Sequence, residues 1–215
     1  SEDGVTAGRP RGRPPRVAFV VTPHGFGHAA RSCAVMQALA RRLPGVRCTV
    51  YSTVPAWFFH DSCGPEVTVR PEALDVGVVQ RDAMREDLPA TVAALAELLP
   101  PRPERLDALA ASLADDADVV VCDIAPLGLA AAVAAGLPAV LVENFTWDWI
   151  YPAYLEREPG LAPFVDPIAE LVAGADLRLQ AEPYCAAAAG GVAVPPVARD
   201  RRASAGAVRA RLGIP

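Results

Sequence analysis

Apolar residues along this chain follow two rhythms, unbroken short runs and three- or four-residue periodicities, and the two alternate for most of its length. Val17, Ala18, Phe19, Val20 and Val21 run without polar interruption, as in a strand buried on both faces of a parallel sheet. From Ala29 the spacing changes to Ser32, Val35, Met36, Leu39 and Leu43, a helical stripe, with Arg41 and Arg42 where cations suit the dipole. Residues 46–53 predict a second strand, 55–59 a short apolar helix and 67–69 a brief third strand. A polar stretch at 71–87 is longer than connections in a domain usually are. Helical stretches at 88–99 and 104–113 are separated by Pro100, Pro101 and Pro103. The pattern continues with a strand at 118–122, a helix at 126–135 stopped by Gly136, and a strand at 139–142. An aromatic segment at 143–151, a helix at 164–173, a strand at 176–180 and a short helix at 207–212 complete it. Strands alternating with helices predict an α/β fold, a Rossmann-like doubly wound parallel sheet with right-handed crossovers. No repeat of solenoid period is present.

The loop between the first strand and the first helix carries the candidate chemistry. Gly25 and Gly27 allow a tight turn and close approach of a ligand, and the helix behind them presents unpaired N–H groups to an anion. Gly25-Phe26-Gly27-His28-Ala29-Ala30 matches the dinucleotide pattern, but Tyr51-Ser52-Thr53 stands where a ribose-binding acid belongs, which argues against a nicotinamide cofactor. His28 lies where the positive end of the helix discourages protonation and keeps an imidazole available as a base; a capping or loop-bonding role is the competing reading. His24 and His28 are four apart, but the glycines break helical spacing, so the expectation is no metal. Asp123 closes a central strand at the carboxyl edge, where it can meet His28 and orient it, or instead cap the next helix. Asp116-Ala117-Asp118 reads D-x-D but precedes its strand, at the opposite edge, and reads as solvated. No G-x-S-x-G elbow gives Ser32 or Ser52 a hydrolase context.

Composition narrows this further. The 215 residues, 52% hydrophobic, suffice for one large domain or a domain with an appendage. A net charge of −5 gives no reason to expect a nucleic-acid partner, although Arg9, Arg11, Arg13 and Arg16 make a basic run that reads as a solvated tail. There is no lysine, which excludes a Schiff-base lysine and the lysine of a Walker loop. The 5 cysteines are scattered, without metal-ligand spacing, and suit a reduced, cytoplasmic protein. No apolar run reaches the ~20 residues of a membrane span, and no signal-peptide core is evident.

The strand followed by P-H-G-F-G-H-A-A-R and a helix resembles the amino-terminal domain of GT-B fold glycosyltransferases, and in particular the glycosyltransferase-like domain of L-arabinokinases and their bacterial relatives. LDVGVVQRDAM at Leu74, ADVVVCDIAPLG at Ala117 and NFTWDWIYPAY at Asn144 carry the same resemblance. It implies an amino-terminal GT-B half with residues 1–15 as a flexible basic tail, 16–197 as the acceptor-side domain and 198–215 as a linker into a missing carboxyl-terminal domain. It further implies inverting, metal-independent transfer from a nucleotide diphosphate sugar to a small-molecule acceptor, with no resident cofactor. His28 would be the base and Asp123 its partner. His24, Gly25, Gly27, Arg31, Gln80, Asn144, Trp147, Asp148 and Trp149 would bind substrate, the last four as an aromatic and polar acceptor wall. A helix pinned to the core accounts equally for the spacing of Trp147, Ile150 and Tyr151. A non-catalytic sugar or nucleotide-sugar binding module, and an epimerase of similar fold, are the alternative functions.

Overall fold

In the computed structural model, β1 (Arg16–Val21) is buried at every position past Arg16. Its side chains alternate between two cores, as the two-residue period of a strand requires: Val17, Phe19 and Val21 enter one, Ala18 and Val20 the other. The description covers residues 13–201 and 203–214, so Arg9 and Arg11 of the expected tail lie outside the described residues. After β1 come α1 (Phe26–Arg42), β2 (Arg47–Tyr51), α2 (Ala56–Cys63) and β3 (Thr68–Arg70). A small hairpin, β4 (Gln80–Asp82) and β5 (Arg85–Glu86), precedes α3 (Leu88–Leu98) and α4 (Pro103–Asp116). Then follow β6 (Val119–Asp123), α5 (Pro126–Ala134), β7 (Ala139–Glu143), α6 (Trp147–Ile150) and α7 (Ala162–Ala173). The order closes with β8 (Leu177–Ala181), β9 (Val192–Val194) and α8 (Ala205–Leu212).

The main sheet has seven strands in the order β3-β2-β1-β6-β7-β8-β9, every neighbouring pair parallel. α1 and α2 contribute Ala29, Cys33, Met36, Phe58 and Phe59 to one core. α3, α4, α5 and α7 supply Leu95, Leu113, Leu127 and Ile168 to the other. The sheet is therefore doubly wound. Succession runs outward from β1 through β2 to β3, and in the opposite direction from β6 through β7 to β8, so the reversal falls between β1 and β6. In such sheets the carboxyl ends of the strands at that reversal open a ligand crevice. Close packing of α5 under the crevice depends on Gly128, where a Cβ would come within 2.6 Å of Val20 Cγ1.

Four features differ from the sequence pattern, each for a local reason. α1 begins at Phe26, three residues before the periodic stripe, because Gly25 at φ 87° breaks the chain and the helix starts at once behind it. The long polar stretch contains the β4–β5 hairpin, held by an Arg85–Asp82 ion pair at 2.8 Å. β9 was not anticipated; three residues between glycines and prolines offer too short a pattern. The run expected as solvated tail is docked at its end, since Arg13 and Arg16 pair with Asp118, and Arg47 N–H donates to Pro15 O at 2.8 Å. Among the described residues no helix is long and apolar enough to cross a membrane.

Candidate active site at the carboxyl edge

Strand alternation decides which side chains reach the crevice. Val119 and Val121 face the α1 side of β6, so Asp123, two further on, faces it too. Register places Asp123 beside Val21 of β1 and Val142 of β7. The same alternation carries Asn144 to that side after β7. Immediately beyond Asp123 the chain turns sharply, with Ile124 at φ 48°, a left-handed conformation costing a β-branched residue on the order of 1–3 kcal/mol.

Three side chains on one face of α1, at i, i+3 and i+4, converge on this carboxylate. His28 Nδ1 lies 2.8 Å from Asp123 Oδ1. Arg31 grips both oxygens, Nε to Oδ2 at 2.8 Å and Nη2 to Oδ1 at 2.5 Å. Ser32 Oγ donates to Oδ2 at 3.4 Å. Arg31 Nη1 also donates to Asn144 Oδ1 at 3.0 Å, joining the end of β7 to the cluster. The side chains of Asp123, Arg31 and His28 are 2%, 10% and 11% exposed. Burial pushes the Asp123 carboxyl up, but the hydrogen bonds from Arg31 and His28 outweigh it and hold the group below the usual carboxylate range.

An ionised carboxylate only accepts, so the proton of a neutral His28 sits on Nδ1 and leaves the Nε2 lone pair free. Arg31 Nη2 lies 3.3 Å from Nδ1; both are donors to Asp123 Oδ1, so this is a shared acceptor rather than a bond between them. The helix-capping reading of Asp123 fails, because the N-cap of α5 is Ala125 and makes no side-chain cap bond. The first turn of α1 holds no acidic residue and Gly25 makes no side-chain cap bond, so backbone N–H groups remain directed at the loop.

Two crevices flank Phe145, whose ring stands edge-on to His28 with centroids 5.8 Å apart. One, of about 280 Å³, is lined by Gly27, His28, Arg31, Asn144, Phe145 and Glu182 among others. The other, of about 370 Å³, lies under the β4–β5 hairpin and is lined by His24, Gln80, Met84, Phe145, Trp147 and Tyr154 among others. His28, Asp123, Gly27, Arg31 and Asn144 are thus brought together, while His24 and Gln80 belong to the second crevice. Arg31 is occupied by Asp123 and Asn144 rather than held open for substrate.

Of the acceptor wall expected over 144–151, Asn144 lines the first crevice and Trp147 the second, but Trp147 is core and Asp148 and Trp149 line neither. Trp147 is 2% exposed and gives its crevice only a floor; its indole Nε1 donates to Asp75 Oδ2 at 2.8 Å, and its ring stacks on Tyr151. Trp149 is 48% exposed, and neither it nor Asp148 lines either crevice. The core reading of the aromatic spacing holds at Trp147 and Tyr151 because a buried carboxylate, Asp75, needed a donor.

Asp75 is the residue sequence reasoning missed. It is buried; desolvation pushes it up to about 6 against hydrogen bonds from Thr22, Trp147 and the Val76 N–H. Beside it, Tyr151 Oη donates to Gly77 O at 2.8 Å, and a Cβ on Gly77 would meet the His24 ring at 2.8 Å. His24 itself stands edge-on to Trp147 at 5.1 Å; burial, then the neighbouring His28, lowers its pKa from the ordinary histidine value. The signal for Asp75 was a lone acid in an apolar stretch, LDVGVV. Glu182 was missed as well, although it follows β8 as Asn144 follows β7.

At the amino edge, the D-x-D pair is ion-paired rather than solvated. Arg70 Nε donates to Asp116 Oδ2 at 2.6 Å and Tyr51 Oη to the same atom at 2.7 Å, while Asp118 receives the Arg16 N–H at 3.0 Å. Among the described residues no group of His, Cys, Asp and Glu is placed to hold a metal ion.

The chain has an α/β fold like that found in GT-B glycosyltransferases. Its fold matches spinosyn forosaminyltransferase SpnP, at 17% identity and TM-score 0.50, over 84% of this chain and 50% of that one. It also matches LpCGTa in complex with UDP, at 14% identity and TM-score 0.51, over 86% and 53%. This chain therefore spans about half the length of each. Among curated proteins, L-arabinokinase of Arabidopsis thaliana is 37% identical over 141 residues, which is 64% of this chain and 13% of that protein. No protein-family model matches.

Proposed function

We propose that the chain is the acceptor-binding half of an inverting, metal-independent glycosyltransferase whose co-substrate is a nucleotide diphosphate sugar. The observation that carries this reading is the 2.8 Å bond from His28 Nδ1 to buried Asp123, with Nε2 left free beside a crevice. An acceptor hydroxyl placed at Nε2 gives its proton to His28 as its oxygen bonds the anomeric carbon, and the nucleotide diphosphate leaves from the opposite side. That single displacement inverts the carbon. Asp123 lies against the imidazolium that forms, and the N–H groups opening α1 face charge developing on the diphosphate. UDP stands as the proposed nucleotide by likeness to LpCGTa, and the half supplying most of the donor site is a separate domain or segment. Metal independence is supported by Asp116 and Asp118, which lie at the far edge of the sheet bound by arginines. A cytoplasmic setting is supported by cysteines that are all free.

A second reading, a sugar-binding module that performs no transfer, is favoured by Arg31. Its grip on both Asp123 oxygens already neutralises the charge that would stabilise a protonated His28. One experiment separates the two. In a protein carrying both halves, His28→Ala is expected to cut turnover by ~10²–10⁴ with folding intact. Near-normal turnover by that variant would remove His28 as the base, whereas no turnover by the unsubstituted two-half protein would leave the module.

A further inference from the structure

The crevice beside His28 has an unusual charge balance for a site expected to meet a phosphorylated substrate. Its lining contains one cation, Arg31, and that guanidinium is already bound to Asp123 and Asn144. Facing it is Glu182, which follows the carboxyl end of β8 and whose side chain makes no ion pair among the described residues. An anionic ligand entering here meets an uncompensated carboxylate and no available positive side chain. A neutral ligand rich in hydroxyls meets a better set: Glu182 to accept, the Asn144 amide NH₂ to donate, His28 Nε2 to accept, and the Phe145 ring for an apolar face. Arg31 Nη1 holds Asn144 Oδ1 at 3.0 Å, which turns that amide's donors away from the guanidinium. The volume, about 280 Å³, lies just under the ~300–1,000 Å³ of drug-sized pockets and suits one ring rather than a chain of them.

We propose that this crevice is a subsite for a neutral monosaccharide unit and that Glu182 is its specificity-determining residue, selecting hydroxyls and rejecting anionic acceptors. The inference rests on the reading of His28 as the base that receives a hydroxyl proton, and deepens it by naming the acceptor class. Glu182 acts by hydrogen bonding the ring hydroxyls that orient the sugar towards Nε2, so its loss weakens binding without altering the His28–Asp123 pair.

The test is titration of the full 215-residue chain, followed by amide NMR, with neutral D-glucose, D-galactose, D-xylose and L-arabinose. D-glucuronate, D-glucose 6-phosphate and phenol form the comparison arms. At least one neutral sugar is expected to shift the Gly27, Asn144 and Glu182 amides and to bind more tightly than either anion or phenol. Glu182→Gln, at an exposed position that tolerates the change, is expected to weaken that sugar by ~10-fold, the loss of one hydrogen bond to a charged group. Failure of every neutral sugar to shift these amides, tighter binding of an anion or phenol, or unchanged affinity in Glu182→Gln would each overturn the proposal. The assay contains no donor and reads no turnover. A failure here therefore removes the sugar subsite alone, whereas a wrong base assignment shows as turnover by His28→Ala.

Discussion

Among the buried carboxylates near the carboxyl edge, Asp123, Glu143 and Asp75, the first and last are held in opposite ways. Asp123 meets a guanidinium and an imidazole and is kept ionised. Asp75 meets an indole, a hydroxyl and a peptide N–H, all neutral, and is pushed up to about 6. Around Asp123 the donors come from a helix face and leave His28 Nε2 unsatisfied beside a crevice. Around Asp75 the bonds are framework: Trp147 ties α6 to the 74–79 loop, Tyr151 just beyond α6 donates to Gly77 O, and the Val79 N–H donates to Thr91 Oγ1 at 3.0 Å. One arrangement holds a paired charge beside a crevice; the other fixes the loop against which His24 rests.

The largest effect is expected from removing the ionised member. Asp123→Ala leaves the buried Arg31 without its partner, and breaking such a pair costs about 3–5 kcal/mol. Denaturant unfolding should register that loss. The exposed Arg85–Asp82 pair, with side chains 78% and 41% exposed, sets the contrast: Asp82→Ala should change stability by less than about 1 kcal/mol. Comparable losses in the two variants would mean that Asp123 is not held as a buried charge.

The two acids should also divide the pH axis. Asp123 is depressed in the folded state, so its contribution is present above the unfolded carboxyl value of about 4 and is lost as pH falls below it. Asp75 is raised, so the folded state is favoured while it is protonated, and that advantage drains away as pH rises from about 4 through about 6. The shift corresponds to about 3 kcal/mol at full ionisation. Asp75→Asn keeps a carbonyl to accept from Trp147 Nε1 and cannot ionise. Its unfolding free energy, measured against that of the unsubstituted chain from pH 4 to 7, should lack this decline; parallel curves would remove Asp75 from the account.

How legible the two regions were in the sequence follows from this difference. The strand, glycine loop and helix announce themselves through an apolar run, two glycines and a 3.6-residue stripe, and Asp123 ends a strand whose side of the sheet alternation fixes. Local rules therefore reached His28, Gly27 and Asp123. Asp75 is marked locally only as a lone acid in LDVGVV, and that mark does not name its partners: Thr22 and Trp147 lie 53 and 72 positions away in the chain, and only the fold brings them together. For that reason Trp147 read equally well as a wall or a pin. Glu182 was within reach, since the rule that picks residues following strands at the carboxyl edge applies to β8 as well as to β6 and β7.

The two glycines make the last comparison, and their effects should differ in sign. Gly77 sits at φ +66° with the His24 ring where a Cβ would go, so Gly77→Ala combines a left-handed alanine with a clash. It should cost about 1–3 kcal/mol and displace His24. Gly27 is different: it lies in the first turn of α1, its φ is not positive, and a Cβ there would meet nothing within 4 Å. The protein itself has no steric or conformational need for glycine at that position. Alanine is the better helix former, by up to about 1 kcal/mol in an interior and less in the first turn, so Gly27→Ala should unfold slightly later than the unsubstituted chain. Yet Gly27 lines the crevice with His28, and a methyl there occupies space that a ligand needs to reach the N–H groups opening α1. Thermal unfolding and sugar binding measured on the same sample should therefore move in opposite directions, melting up and affinity down. If Gly27→Ala gains stability and binds as before, the open space beside Gly27 is not where the ligand lies, and the site has to be sought in the His24 crevice instead.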